Sequence, residues 1–286
     1  MNNKSSWSAY NLELNLSDTE HSLQVNKYHA MFDHLSAAQA TNLAQREGEL
    51  ALYTHQSFFT EQVQPAAPPQ TWSQLLTYVQ ALVGKTVEQI ADKHQVELID
   101  SLKLNRGWLG NLIEIALGAS AGSKPTQDFI DLGLELKTLA INENGKVKSD
   151  IFISSLPLNS YMLQDWQLSH VLYKLKRILF IPVENNPEIP LAQRRIGKGF
   201  IWSPNAQQLA TLEADWKSIM EIITQRDFTA LKSNLGSALC VRVKALNTQQ
   251  SNTFNDIDLH SINLPPLSFY LRRNFVNEIL QSVYNS

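Results

Sequence analysis

Apolar and polar positions first fall into a helical rhythm in "TWSQLLTYVQALVG". Trp72, Leu75, Leu76, Val79 and Leu82 recur at helical intervals, and Gly84 fits a C-terminal stop. "TVEQIADKH" opens with Thr86 and Gln89 in capping-box spacing, and "GWLGNLIEIALG", 107–118, predicts a third helix. Strand-like runs follow at 132–141, 147–156 and 177–184. A helix is predicted over about 205–224, then a strand over 237–243. "FYL" at 269–271 runs into a last helix, "NFVNEILQSVY". Helices and strands mix without regular βαβ alternation, which predicts a mixed α/β fold: a central mixed sheet flanked by helices.

Residues 1–70 depart from this rhythm. They are polar, rich in Gln, Asn, Ser and His, with a helix-like patch at 36–56 and a Pro-rich exit, "QPAAPPQ", at 64–70. We place a boundary there: an N-terminal extension over 1–70, expected to be disordered and to end in an extended linker, and a body over 71–286. The charge is uneven in the same way. Residues 1–66 hold three basic and seven acidic groups, a net of −4 within a chain whose total is −3. The body is therefore near neutral, and no global field draws it to nucleic acid or membrane. One cysteine, Cys240, excludes a disulfide framework and suits a reducing compartment. No apolar stretch reaches the roughly 18 residues of a membrane span, and no signal-peptide pattern opens the chain, so a cytoplasmic protein is expected.

Three tempting motifs fail. "GASAG", Gly118 to Gly122, has the G-x-S-x-G spacing of a nucleophile elbow. That elbow leaves a strand and enters a helix, whereas this one follows a helix. "GASAGSK" lacks the four-residue gap and Gly-Lys pair of a phosphate-binding loop. The seven histidines show no ligand spacing, and four lie in the first 66 residues, so a zinc site is not expected.

What carries chemistry is "DFIDLGLELKTLA", 128–140. In a strand, Glu135 and Lys137 share a face while Leu134 and Leu136 take the other. Taken alone, the pair reads as a solvated salt bridge on an edge strand. Asp128 stands seven residues upstream of Glu135, with Gly133 between them to permit a bend, and Glu114 sits among Leu112, Ile113, Ile115 and Leu117. A carboxylate drawn inward there costs several kcal/mol, roughly, unless a cation or donor meets it. Three carboxylates and a lysine that converged would suit magnesium, which takes oxygen ligands and keeps positions for water and substrate phosphate. Asp-x(n)-Glu-x-Lys is also the pattern of restriction-endonuclease-like nucleases, and the chemistry it suits is metal-dependent phosphodiester hydrolysis.

The surrounding blocks sharpen this. "GWLGNLIEIALGASAGSKPTQDFIDLGLELKT" (107–138), "SHVLYKLKRILFIPVE" (169–184), "IPLAQRRIG" (189–197), "WSPN" (202–205) and "FYLRRNF" (269–275) closely resemble the MutH family of DNA mismatch-repair nicking endonucleases. The resemblance spans about residues 70–286; most of 1–70 lies beyond the family's usual start. It implies a restriction-endonuclease-like fold whose two lobes form a DNA cleft. It implies magnesium-dependent nicking of the unmethylated strand at hemimethylated GATC, 5′ of the G, stimulated by MutL, itself recruited by MutS. Carried over by residue, Asp128, Glu135 and Lys137 match the catalytic triplet, Glu114 a further acidic residue near the metals, and Lys174 an active-site lysine. Arg242 and Lys244 match a base-reading loop, and Tyr270 resembles a tyrosine near the methyl-sensing position. A monomer is expected.

Basic clusters agree independently. Lys174, Lys176, Arg177, Arg194, Arg195 and Lys198 face only Glu184 and Glu188 across 170–200, and Arg242 with Lys244 and Arg272 with Arg273 add two pairs. Such clusters on a near-neutral body suggest a DNA-facing surface, and arginine can bond guanine bidentately. Two other readings stay open: a GATC-specific restriction endonuclease that cuts both strands, and a non-catalytic DNA- or MutL-binding scaffold.

Overall fold

The computed structural model describes residues 63–99, 107–120, 126–156, 165–225, 227, 230–231, 234–243, 252–254, 262–264 and 267–284. The expectations for the extension before residue 63, and the placement of Lys244, lie outside the described residues. The helices are α1 (Trp72–Leu82), α2 (Val87–His94), α3 (Trp108–Leu117), α4 (His170–Leu175), α5 (Ala206–Thr224) and α6 (Arg273–Tyr284). The strands are β1 (Glu135–Ile141), β2 (Ile151–Ser155), β3 (Ile178–Glu184), β4 (Phe200–Trp202), β5 (Leu239–Val243), β6 (Asn252–Phe254), β7 (Ile262–Leu264) and β8 (Leu267–Leu271). No helix among the described residues is long and apolar enough to cross a membrane.

The chain is mixed α/β, as expected, but its strands form separate small sheets rather than one central sheet. They divide between two compact units, the first comprising residues up to 148, 177–202 and 281–286, the second 149–176 and 203–280. The short strands β4, β6 and β7 and the short helix α4 escaped the sequence pattern because each is too brief to show a period.

In the first unit the sheet order is β1-β3-β4, with β1 parallel to β3 and β4 antiparallel to it. The central strand β3 is buried at every position but its last, as its unbroken apolar sequence requires. Thr71 caps α1, its hydroxyl accepting from the Gln74 N–H. The capping box at the start of α2 forms as the spacing predicted: the Gln89 N–H donates to Thr86 Oγ1 at 3.2 Å and the Thr86 N–H to Gln89 Oε1 at 3.0 Å. The apolar faces of α1, α2 and α3 join Leu134, Leu136, Leu179 and Ile181 in one core.

The Pro-rich stretch is extended but does not hang loose. Its Gln64 and Ala66 N–H groups donate to the His94 and Ile115 carbonyls at 2.9 Å, and Pro69 is buried. Helix C-termini leave carbonyls without intrahelical partners, and this strap supplies a donor to the His94 carbonyl of α2 and a second donor to the Ile115 carbonyl of α3, which also accepts the Gly118 N–H. It passes so close to Gly118, the left-handed cap of α3 at φ +70°, that a Cβ there would stand 2.4 Å from the Ala67 carbonyl oxygen.

In the second unit the order is β2-β8-β5, all antiparallel. The β6–β7 hairpin belongs to the same unit. Asn205 and Gln208 close a capping box at the start of α5. From that helix Asp215 Oδ2 accepts the N–H groups of Ser237, Ala238 and Leu239 at 2.9, 2.6 and 2.9 Å, fixing the entry to β5.

Gly118→Ala is expected to destabilise the protein by about 2 kcal/mol or more, because a left-handed L-residue and a collision with the strap act together. Thermal unfolding with amide exchange at Ala66 measures it: a lower Tm and faster exchange are expected, and an unchanged Tm would contradict the strap.

Candidate active site

The run from Asp128 to Ala140 is built by a turn that the sequence only hinted at. The stretch expected to be strand from 132 begins instead as a short 3-10 turn, Ile130–Leu132, and Gly133 follows at φ +59° and ψ 42°. Left-handed backbone there is why glycine stands at this position. Phe129 and Leu134 then exchange backbone hydrogen bonds of 2.9 and 3.2 Å, so the chain doubles back on itself. This brings Asp128 alongside the first residues of β1, where its Oδ2 accepts the Leu136 N–H at 2.7 Å. The Asp128 carbonyl in turn accepts the Ser120 N–H at 3.1 Å, tying the turn to the segment that leaves α3.

Glu135 opens β1 with its N–H on the Arg177 carbonyl at 3.0 Å and in register with Ile178. Lys137 reaches along the same face to Glu135 Oε1 at 2.5 Å. β1 is an edge strand, as the simplest reading expected. The salt bridge is not a solvated one, however: Glu135 is 0% exposed and Asp128 8%. Burying two carboxylates is costly for folding alone, which makes this cluster the candidate functional site.

Glu114 lies on α3, the helix that crosses β1, but is partly exposed rather than drawn into the core. Among the described residues no three His, Cys, Asp or Glu side chains converge as a metal cage. The structure therefore pairs Lys137 with Glu135, fixes Asp128 on the intervening Leu136 N–H, and does not bring Glu114 into one ligand cluster with the two carboxylates. Two buried carboxylates still fit magnesium, which is commonly held by one or two carboxylates together with water and substrate phosphate.

The basic residues sort into different environments. Lys174 is buried on α4, and burial pulls the half-buried Lys176 down to about 8. Arg177 lies over the Trp72 ring, 5.4 Å from its centroid, and burial lowers its pKa as well. Arg194 bonds the Ile189 carbonyl and Asn185 Oδ1 at 3.1 and 2.8 Å, and Arg195 the Gly84 carbonyl at 2.9 Å. Arg272 donates to the Gly236 and Leu235 carbonyls at 2.6 and 2.5 Å. Arg273 is exposed at the start of α6. Several arginines expected to meet DNA thus also staple loops. Tyr270 packs edge-on against Phe152, ring centroids 5.6 Å apart, and pairs with Cys240 on β5. Burial and the neighbouring Asp150 push the Cys240 thiol up to about 11, so it is no nucleophile at neutral pH.

Asp150 escaped the sequence reading. It accepts from the Arg242 guanidinium, 92 positions later, and from the Arg273 N–H at 2.9 Å, 123 positions later. Burial raises its pKa, but the Arg273 N–H and the Arg242 side chain outweigh that and hold the carboxyl below its usual range. No local pattern in "VKSDIF" signals partners so distant.

The first unit thus defines the class: an α/β protein with a buried Asp–Glu–Lys constellation at a sheet edge. The family model described as "DNA mismatch repair enzyme MutH" matches residues 117–215. The chain is 41% identical over 213 residues to the DNA mismatch repair protein MutH of Pasteurella multocida (strain Pm70), an alignment covering 74% of this chain and 96% of that one. Against the MutH of Vibrio vulnificus (strain YJ016) it is 39% identical over 218 residues, 76% of this chain and 96% of the relative. Against that of Escherichia coli (strain SMS-3-5 / SECEC) it is 40% identical over 214 residues, 75% and 93%. The chain belongs to the MutH family.

Replacing Asp128 separates its structural bond from its charge. Asp128→Ala leaves the Leu136 N–H without its acceptor and should cost about 1–3 kcal/mol. Asp128→Asn keeps an acceptor oxygen and should unfold close to wild type. Chemical denaturation of both tests this, and equal losses would remove the hydrogen bond from the explanation.

Proposed function

We propose that this chain is a magnesium-dependent DNA endonuclease of methyl-directed mismatch repair. It nicks the unmethylated strand at hemimethylated GATC, 5′ of the G, as a cytoplasmic monomer under stimulation by MutL, with MutS acting upstream. The observation that carries the reading is the buried Asp128–Glu135–Lys137 cluster in a chain of the MutH family. On this reading the first unit is the catalytic lobe of a restriction-endonuclease-like fold, and the second supplies groups that read the duplex.

Asp128 and Glu135 would hold magnesium, which supplies positive charge to the scissile phosphate and acidifies water. The Leu136 N–H orients the Asp128 carboxylate at the head of β1. Lys137, anchored on Glu135, offers an ammonium to the attacking water and to the charge that develops on the phosphate. Glu114, on the helix that crosses β1, and Lys174 are assigned to the same chemistry by resemblance. Arg242, Lys244 and Tyr270 are assigned to the target bases. Lys176, Arg177, Arg194, Arg195, Arg272 and Arg273 are assigned to the phosphate backbone and its neighbourhood, with the staples above limiting how many of these arginines turn outward.

A nicking assay on hemimethylated GATC duplex, with and without MutL, tests the reading. Wild type should nick only the unmethylated strand and only with magnesium, faster with MutL. Asp128→Asn, Glu135→Ala and Lys137→Ala should each fall by about 100-fold or more while remaining folded. Cleavage of both strands would favour a restriction enzyme, and near wild-type nicking by Glu135→Ala would remove the metal assignment.

Lys176 supplies a pH test. Its cation persists below pH of about 8 and is lost above it, so a phosphate contact through it should weaken as pH rises. Between about pH 7 and pH 9 the salt dependence of DNA affinity should shrink by up to about 0.9 in log–log slope, one phosphate contact. Lys176→Arg should keep its slope; an equal change in both proteins would free Lys176 from this role.

A further inference from the structure

We propose that Asp150 is a positioning residue for sequence reading: it holds the Arg242 guanidinium in the orientation in which it meets a base edge. The inference rests on the functional reading above and adds a residue to which neither the family resemblance nor the basic clusters assign a role. Its support is geometric. Arg242 stands on β5 with its side chain 42% exposed, whereas the Asp150 side chain is only 8% exposed. Arg242 Nε donates to Asp150 Oδ2 at 2.6 Å, and Nη2 donates to the same oxygen. The Nε–Nη2 edge of the fork is therefore occupied from below. The Nη1–Nη2 end keeps two parallel N–H groups, the pair that matches guanine O6 and N7.

Asp150 is itself fixed. Its other oxygen, Oδ1, accepts the Arg273 N–H at 2.9 Å at the start of α6, where the helix dipole favours a carboxylate. Cys240 Sγ approaches Oδ2 at 3.7 Å from the same strand as Arg242. The carboxylate is thus held by two chain segments before any ligand arrives. An arginine without such a support has many rotamers, and fixing it on DNA would cost side-chain entropy. Anchoring it beforehand removes that cost and restricts which base the fork can meet. A surface ion pair kept for stability alone contributes little.

The test measures affinity for GATC and scrambled duplexes, with melting temperature as control, in wild type, Asp150→Ala, Asp150→Asn, Arg242→Ala and the Asp150→Ala/Arg242→Ala double variant. Wild type should prefer GATC, and Arg242→Ala should reduce that preference by about 10-fold or more. Asp150→Asn, which keeps an acceptor for the Arg273 N–H, should remain folded and still lose several-fold of the preference. The double variant should lose no more than Arg242→Ala alone. An unchanged preference in Asp150→Asn and Asp150→Ala, or losses that simply add in the double variant, would overturn the proposal while leaving the base-reading role of Arg242 intact. No preference in wild type, or none lost by Arg242→Ala, would instead overturn the base-reading assignment beneath it.

Discussion

The hydrogen bond from the Leu136 N–H to Asp128 Oδ2 is the constraint around which the candidate site of the first unit is arranged. A carboxylate with so little exposure must be met by donors, and a backbone amide at the head of a strand is one that cannot wander. To make that bond the chain must reverse between 129 and 134, which demands the left-handed Gly133. Once made, it sets Asp128 beside a strand whose alternate residues are Glu135 and Lys137. The same strand is held in parallel register by β3 and overlaid by α3, so the charged face inherits the rigidity of a packed sheet. The buried cluster costs folding energy, and the large apolar core around it offsets that cost.

Charge is used differently in the second unit. There carboxylates act as internal acceptors: Asp215 gathers three N–H groups at the entry to β5, and Asp150 joins β5 to the start of α6. Arginine follows the same economy, since Arg272 spends its fork on the Gly236 and Leu235 carbonyls. A basic cluster in sequence is therefore a poor measure of how many cations face a ligand. What matters is which N–H edges the protein has already occupied.

Much of this was legible in the sequence, and the reasons differ by element. The helices at 72–82, 87–94 and 206–224 announced themselves through period and caps, because those signals are local. Glu135 and Lys137 were legible as a same-face pair because strand alternation is equally local. Their burial was not, since it depends on α3 and β3, which arrive from elsewhere in the chain. The separation into small sheets was also hidden: β1 pairs with β3 across a segment that leaves to build the other unit. The strap at 64–70 read as a linker because proline-rich composition reports extension, not whether the extended chain finds acceptors. Asp150 was invisible for the same reason, its partners being remote.

The central claim is that the two carboxylates fixed by this turn hold a divalent ion. Manganese, a spectroscopic substitute for magnesium, can be titrated into wild type and Glu135→Gln and its binding followed by electron paramagnetic resonance. Wild type is expected to bind manganese, in competition with magnesium, and Glu135→Gln, which keeps an acceptor oxygen for Lys137, to lose that binding while remaining folded. Equal manganese binding by the two proteins would contradict the claim.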